Sequence, residues 1–115
     1  MEPRDARCIA ATLPGVEDAS SDRALNFVKG GKAFAWSWME RAHPKTPRVP
    51  NLAVLAVRVR PEFKDILLDA HPDRFVDDPH YRGYPAVLLR LDVVDEDGLR
   101  ALLEEGAAHG ERQKR

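Results

Sequence analysis

Cysteine is nearly absent from this chain. Cys8 stands alone, which excludes an internal disulfide and any zinc site built from several thiolates, and fits a reducing compartment. Long apolar runs are missing as well. No window approaches the roughly 20 consecutive apolar residues of a membrane helix, and the opening Met1-Glu2-Pro3-Arg4-Asp5 is charged where a signal peptide would turn apolar. The expectation is a cytoplasmic protein with no membrane partner. Net charge is also lacking: 18 Lys and Arg against 19 Asp and Glu leave a formal charge of -1. That excludes, for the molecule as a whole, a strongly basic nucleic-acid binder and an acidic solvating tail. What remains is 115 residues with 43% hydrophobic content, enough for one modest core in a single domain spanning residues 1–115.

Catalytic signatures are missing too. Gly30-Gly31 has no helix behind it to make a phosphate loop or a dinucleotide fingerprint, and Ser20, Ser21 and Ser37 lack a glycine-flanked elbow. Cys8 lies beside Ile9 in a helical pattern, a setting that predicts a packed, inert thiol. No enzyme is expected, and no cofactor.

Period and punctuation divide the chain. Ala6, Ile9, Ala10 and Leu13 recur at helical steps and predict a helix over 4–12, ended by Leu13-Pro14-Gly15. Residues 24–28 and 33–39 predict two strands joined by the turn Lys29-Gly30-Gly31-Lys32. The three prolines between His43 and Asn51 predict a flexible loop over 43–51. Residues 52–59 alternate as a strand, with Ala53, Leu55, Val57 and Val59 on one face and Leu52, Val54, Ala56 and Arg58 on the other. Pro61 opens a short amphipathic helix to Ala70 with Phe63, Ile66, Leu67 and Ala70 as its apolar stripe. A loop from His71 to Pro85, with a short strand at Phe75 and Val76, leads to a strand over 86–91. A closing helix over 95–108 has its stripe at Leu99, Leu102, Leu103 and Ala107, and residues 109–115 are expected to fray. The order predicts an α+β fold, an antiparallel sheet with helices gathered on one face.

Leu13-Pro14-Gly15-Val16, the run from Val28 to Ala35, the helix from Phe63 to Ala70, Phe75, the run from Tyr81 to Asp92, and the closing helix together resemble the MmcQ/YjbR family of small bacterial proteins, from about Arg4 to Ala108. The resemblance implies a CyaY-like fold, with N- and C-terminal helices on one face of the sheet and a short middle helix, and a proposed role in DNA binding through projecting hairpins. The bacterial frataxin homologue shares that fold and handles iron, so fold alone does not choose an activity. The family has no agreed catalytic residues to carry over.

Charge order reopens the nucleic-acid question. From Arg41 to Pro61 there are five basic residues, Arg41, Lys45, Arg48, Arg58 and Arg60, and no acidic one, while residues 92–105 carry six acids against Arg100. DNA affinity rests mainly on phosphate neutralisation. Those five residues, joined by His80 and Arg82 in the turn Pro79-His80-Tyr81-Arg82-Gly83-Tyr84-Pro85, form the candidate phosphate-contacting set, with weak, salt-sensitive DNA binding as its expectation. The same residues also suit a solvated loop. Phe34, Trp36 and Trp38 alternate on one strand and should share a face, as core or as an open aromatic surface. Trp36 and Trp38 on an open face would instead make a protein-interaction adaptor. A small-molecule or metal site near 77–84 is a third reading, but His43, His71, His80 and His109 are scattered and no metal centre is expected. The expected state is a monomer or weak dimer.

Overall fold

The computed structural model describes residues 1–41 and 45–113, with side chains through Ala108. Its elements are helix α1 (Pro3–Ala11), strands β1 (Val16–Asp18), β2 (Asn26–Lys29), β3 (Lys32–Glu40) and β4 (Val49–Arg58), helix α2 (Pro61–Ala70), strand β5 (Ala86–Arg90) and helix α3 (Glu96–Gln113). The five strands form one antiparallel meander in chain order. This is the α+β layout expected, and among the described residues no helix is long and apolar enough to cross a membrane.

Local chemistry explains most boundaries. Gly30 and Gly31 both take positive φ, 62° and 79°, so the two-residue turn twists with its strands, a conformation that glycine adopts without steric cost. Proline starts both α1 and α2, where its missing N–H costs nothing. Asp95 caps α3, its Oδ1 accepting the Gly98 N–H at 2.7 Å and satisfying one of the helix's orphan donors.

Helices α1 and α3 cover one face of the sheet. Ala6, Ile9, Ala10 and Leu13 from α1 and its end, and Leu99, Leu102, Leu103 and Ala107 from α3, pack with Phe27, Phe34, Leu55, Val57 and Leu89 into the main core. The approach of α3 is close. A Cβ added at Gly106 would lie 2.9 Å from Val57 Cγ1, 3.1 Å from the Arg58 carbonyl oxygen and 3.2 Å from Phe34 Cδ2, so the missing side chain is what lets helix and sheet meet. The opposite face holds a second, smaller cluster of Val54, Ala56 and Leu88 with Trp36, Trp38, Val76 and Tyr81 packed on it.

Several expectations change. Phe34 does not share a face with Trp36 and Trp38: the β2–β3 register shifts between Phe27 and Val28, pairing Phe27 with Ala35 but Val28 with Ala33. Phe34 is the extra residue of that bulge, and it turns into the main core with Ala35 while both tryptophans stay on the other face. A second shift pairs Ser37 with Leu55 but Trp38 with Asn51, leaving 52–54 without partners in β3 while Val54 still pairs with Arg90 of β5. Leu52 therefore packs toward the main core and Ala53 is exposed, the reverse of simple alternation. Val49, Pro50 and Asn51 belong to β4, not to the expected loop, because Met39 and Glu40 offer them a partner strand.

In α2, Phe63, Leu67 and Leu68 face the core, while Ile66 is 60% exposed and Ala70 is exposed. The stripe is rotated because α2 lies at the sheet edge, where the side carrying Phe63, Leu67 and Leu68 meets the core. Cys8 is exposed, not packed, since its position in α1 falls off the face shared by Ala6, Ile9 and Ala10. Helix α3 runs to Gln113, past the expected fraying point at 109. His43 and Pro44 of the expected loop, and Lys114 and Arg115 of the tail, lie outside the described residues.

Candidate nucleic-acid interface

The sheet face away from α1 and α3 carries most of the polar and aromatic residues the sequence singled out. Crossing it is the segment that follows α2. Its amide at Val76 donates to the Leu88 carbonyl at 2.8 Å, and Phe75 bridges Leu89, so the expected short strand exists as one isolated bridge on the edge of β5. Beyond Val76 the chain leaves the ladder and runs over the two tryptophans. A short 3-10 turn at Pro79–Tyr81 is capped by Asp78, whose Oδ1 accepts the His80 amide at 3.0 Å.

Both indoles are half-buried, and both have their N–H satisfied. Trp36 Nε1 donates to the Tyr81 hydroxyl at 3.1 Å, and Trp38 Nε1 donates to Asp78 Oδ2 at 2.9 Å. Each bond spans about forty residues of sequence, so neither could be read from local pattern. Burial pushes the Asp78 carboxyl up, but the His80 amide, the Trp38 indole, and the charges of Arg48 and His80 outweigh it and hold Asp78 below 3.8. Asp78 is thus the point at which the distal hairpin and the 78–82 turn act on one another.

The seven candidate phosphate contacts divide into groups. Arg41 and Lys45 are exposed beside the hairpin tip, and Arg48, half-buried, reaches across the hairpin to donate to the Met39 carbonyl at 3.0 Å. His80 is exposed, its ring edge-on to Tyr81 at 5.7 Å between centroids. Arg48 and His80 both act on Asp78, and Arg41 and Lys45 flank the tip of the hairpin that Arg48 spans. The same hairpin holds Glu40, whose carboxylate accepts from Asn51 Nδ2 at 2.9 Å, and the exposed apolar side chains Met39 and Val49.

Arg58, Arg60 and Arg82 have other partners. The Arg58 guanidinium lies 5.3 Å from the Trp36 ring centroid and 5.8 Å from that of Tyr84, and its Nε donates to the Ala33 carbonyl at 3.1 Å. Arg60 pairs with Glu105 of α3 at 3.1 Å, on the helix side of the sheet. Arg82 grips Asp77 with two bonds of 3.1 and 2.6 Å, and that guanidinium holds the Asp77 carboxyl below 3.8.

One residue with a central position is absent from the set that the sequence singled out. Lys64 of α2 donates from Nζ to the carbonyls of Tyr81 and Tyr84, both at 2.7 Å. Burial lowers its pKa below 10.5, with the Asp65 and Asp77 carboxylates pulling the other way. Lys64 and Leu68 stand four residues apart on one side of α2, and both line an open cavity of about 410 Å³ between α2 and the segment. A positive charge flanked by the inward-facing Phe63, Leu67 and Leu68 was the available hint. Among the described residues, no three His, Cys, Asp or Glu side chains gather as a metal-binding group. Adjacent Asp77 and Asp78 serve different partners, Arg82 on one side and Trp38 on the other.

Comparison with known proteins bears on the family and the fold. The YjbR family model matches residues 11–106. Among solved structures, the chain is similar to that of the Deinococcus radiodurans protein DR2400, which carries a DUF419 domain: the TM-score is 0.64 with 24% identity, over 96% of this chain and 78% of that one. At that identity the likeness speaks to fold alone. No curated protein matches.

Proposed function

The chain belongs to the YjbR family, and from that premise we propose that it is a non-catalytic nucleic-acid-binding module. It makes weak, salt-sensitive contacts to the phosphates of duplex DNA through the distal β3–β4 hairpin. The contact set is narrower than charge order suggested. Arg41, Lys45 and Arg48 supply the positive charge at the tip by their position on the hairpin and His80 adds a donor, whereas Arg60 lies on the helix side with Glu105, Arg82 is held by Asp77, and Arg58 sits between two rings at the other end of β4.

The observation that carries this reading is the convergence on Asp78. Its neighbours include Arg48 from the hairpin and His80 from the turn, residues 32 positions apart in the chain that the fold brings to one corner. A projecting strand pair with cations at its end can lie along a phosphate backbone without burying the sheet. Neighbouring Glu40 and Asp78 limit the net positive charge there, which fits modest affinity. The adaptor reading has less behind it, because the Trp36 and Trp38 rings are half-buried and their N–H groups are paired.

Fluorescence anisotropy with a labelled 20-base-pair duplex, a length set by experiment design at roughly two helical turns, tests the proposal. About three phosphate contacts predict a log–log salt slope near -2.7. The triple change Arg41→Ala, Lys45→Ala, Arg48→Ala abolishes measurable binding, while Arg60→Ala leaves it intact. Binding that ignores salt, or that survives the triple change, overturns the proposal.

A further inference from the structure

The segment Val76–Tyr84 is built as a unit and tied down at few places. Internally it closes on itself: Tyr81 N–H donates to the Asp78 carbonyl at 2.8 Å, Arg82 N–H to the Pro79 carbonyl at 3.2 Å and Tyr84 N–H to the Tyr81 carbonyl at 3.1 Å. Past Val76 it has no ladder with the sheet. Apart from the Val76 N–H bond to the Leu88 carbonyl at its start, its described ties to the rest of the fold are made by side chains: Trp38 to Asp78, Trp36 to Tyr81, Lys64 to the carbonyls of Tyr81 and Tyr84, Arg58 against the Tyr84 ring, and the packing of Val76 and Tyr81 on Val54, Ala56 and Leu88. Behind it lies the cavity of about 410 Å³, floored by Leu68, Phe75, Val87 and Leu88. A body that is internally bonded, externally tied by a few side chains and backed by open space has the makings of a local opening unit.

We propose that Val76–Tyr84 is a hinged strap latched by Lys64, and that releasing this latch uncovers Trp36 and Trp38. Lys64 is the only one of these ties that comes from α2, across the cavity, and it holds two carbonyls of the strap at once. Charge-assisted bonds of this kind are stronger than the neutral bond from Trp36 to the Tyr81 hydroxyl, and the single Trp38 bond to the Asp78 carboxylate holds the strap at its far end only. With the ammonium removed, the strap keeps its internal turn and swings about Val76 and Pro85. The face beneath, with Val54, Ala56 and Leu88 under the two indoles, is then open to solvent. The proposal goes beyond nucleic-acid binding and does not depend on it.

The protein carries its own reporter, because its two tryptophans are the ones beneath the strap. In Lys64→Met, which keeps the unbranched stem and removes the charge, acrylamide quenching of tryptophan fluorescence should rise about twofold or more. Exchange of the Trp36 and Trp38 indole N–H protons, which bond across to the strap, should accelerate by at least about tenfold, while the Leu55, Val57 and Leu89 amides keep their protection. Unchanged quenching with unchanged exchange at the two indoles would overturn the latch. So would acceleration by the same factor at Leu55, Val57 and Leu89, since Lys64 would then be supporting the whole fold.

Discussion

The two faces of this sheet are assembled by different means. On the helix side, α1 and α3 bury a continuous apolar cluster in which Phe27, Phe34, Leu55, Leu99 and Leu103 are solvent-free. On the other side, three small or medium side chains, Val54, Ala56 and Leu88, lie under two half-buried tryptophans, and the cover is a strap held largely by polar bonds. The first arrangement is closely packed at its centre, with a smaller cavity of about 200 Å³ at its margin lined by Phe63, Leu67, Leu89 and Leu102. The second trades packing for hydrogen bonds to side chains, leaves the cavity of about 410 Å³ at its edge, and ends in the basic hairpin tip. The proposed function accordingly sets recognition on the hairpin beyond the strap and leaves stability to the helix side.

That division predicts a graded set of mutational effects. Phe34→Ala removes a ring from the main core and should destabilise by about 3–5 kcal/mol in urea unfolding. Trp36→Ala, on the half-buried face, should cost about 2 kcal/mol, less than full burial would imply. Equal losses from the two would break the comparison. Gly106→Ala introduces a methyl into the close contact of α3 with Val57 and Phe34. Overpacking of about 1–3 kcal/mol outweighs the helix-propensity gain of about 1 kcal/mol, so a modest net loss is expected.

Acid sharpens the same contrast. Asp18, Asp77 and Asp78 are all held below 3.8 in the folded state, so the stability they contribute is fully present above that value and is lost as pH falls below it. Asp78→Asn should flatten this loss, read as urea midpoints across the acid range. A slope as steep as that of the unchanged protein would remove Asp78 from the account. Smallest of all, the triple change at Arg41, Lys45 and Arg48 should move stability by no more than about 1 kcal/mol, because Arg41 and Lys45 are exposed and half-buried Arg48 gives up one bond to the Met39 carbonyl and its attraction to Asp78.

Sequence pattern read the helix side well. The stripe of α1, the proline-started α2, the Gly30-Gly31 turn and the stripe of α3 all express periodicities that local sterics enforce. What it missed lies where non-local pairing overrides period. The bulge that sends Phe34 into the core depends on the register of β2 against β3, and the shift at Ser37 and Trp38 depends on β4. Strand β1, three residues paired with β2, has no alternation to announce it. At the candidate interface, charge order found the basic tip but not which cations were already engaged. Glu105 lies 45 residues from Arg60, and the Lys64 bonds reach 17 and 20 residues ahead. Such partners are properties of the fold.

The comparison of faces is tested most directly by mapping backbone amide shifts in a ¹⁵N-labelled sample titrated with a short DNA duplex at low salt. The account predicts perturbations at Arg41, Lys45, Arg48 and His80, fading along β3 toward Trp36, with α1 and α3 silent. Shifts concentrated on α1 or α3, or none at any position, would contradict it.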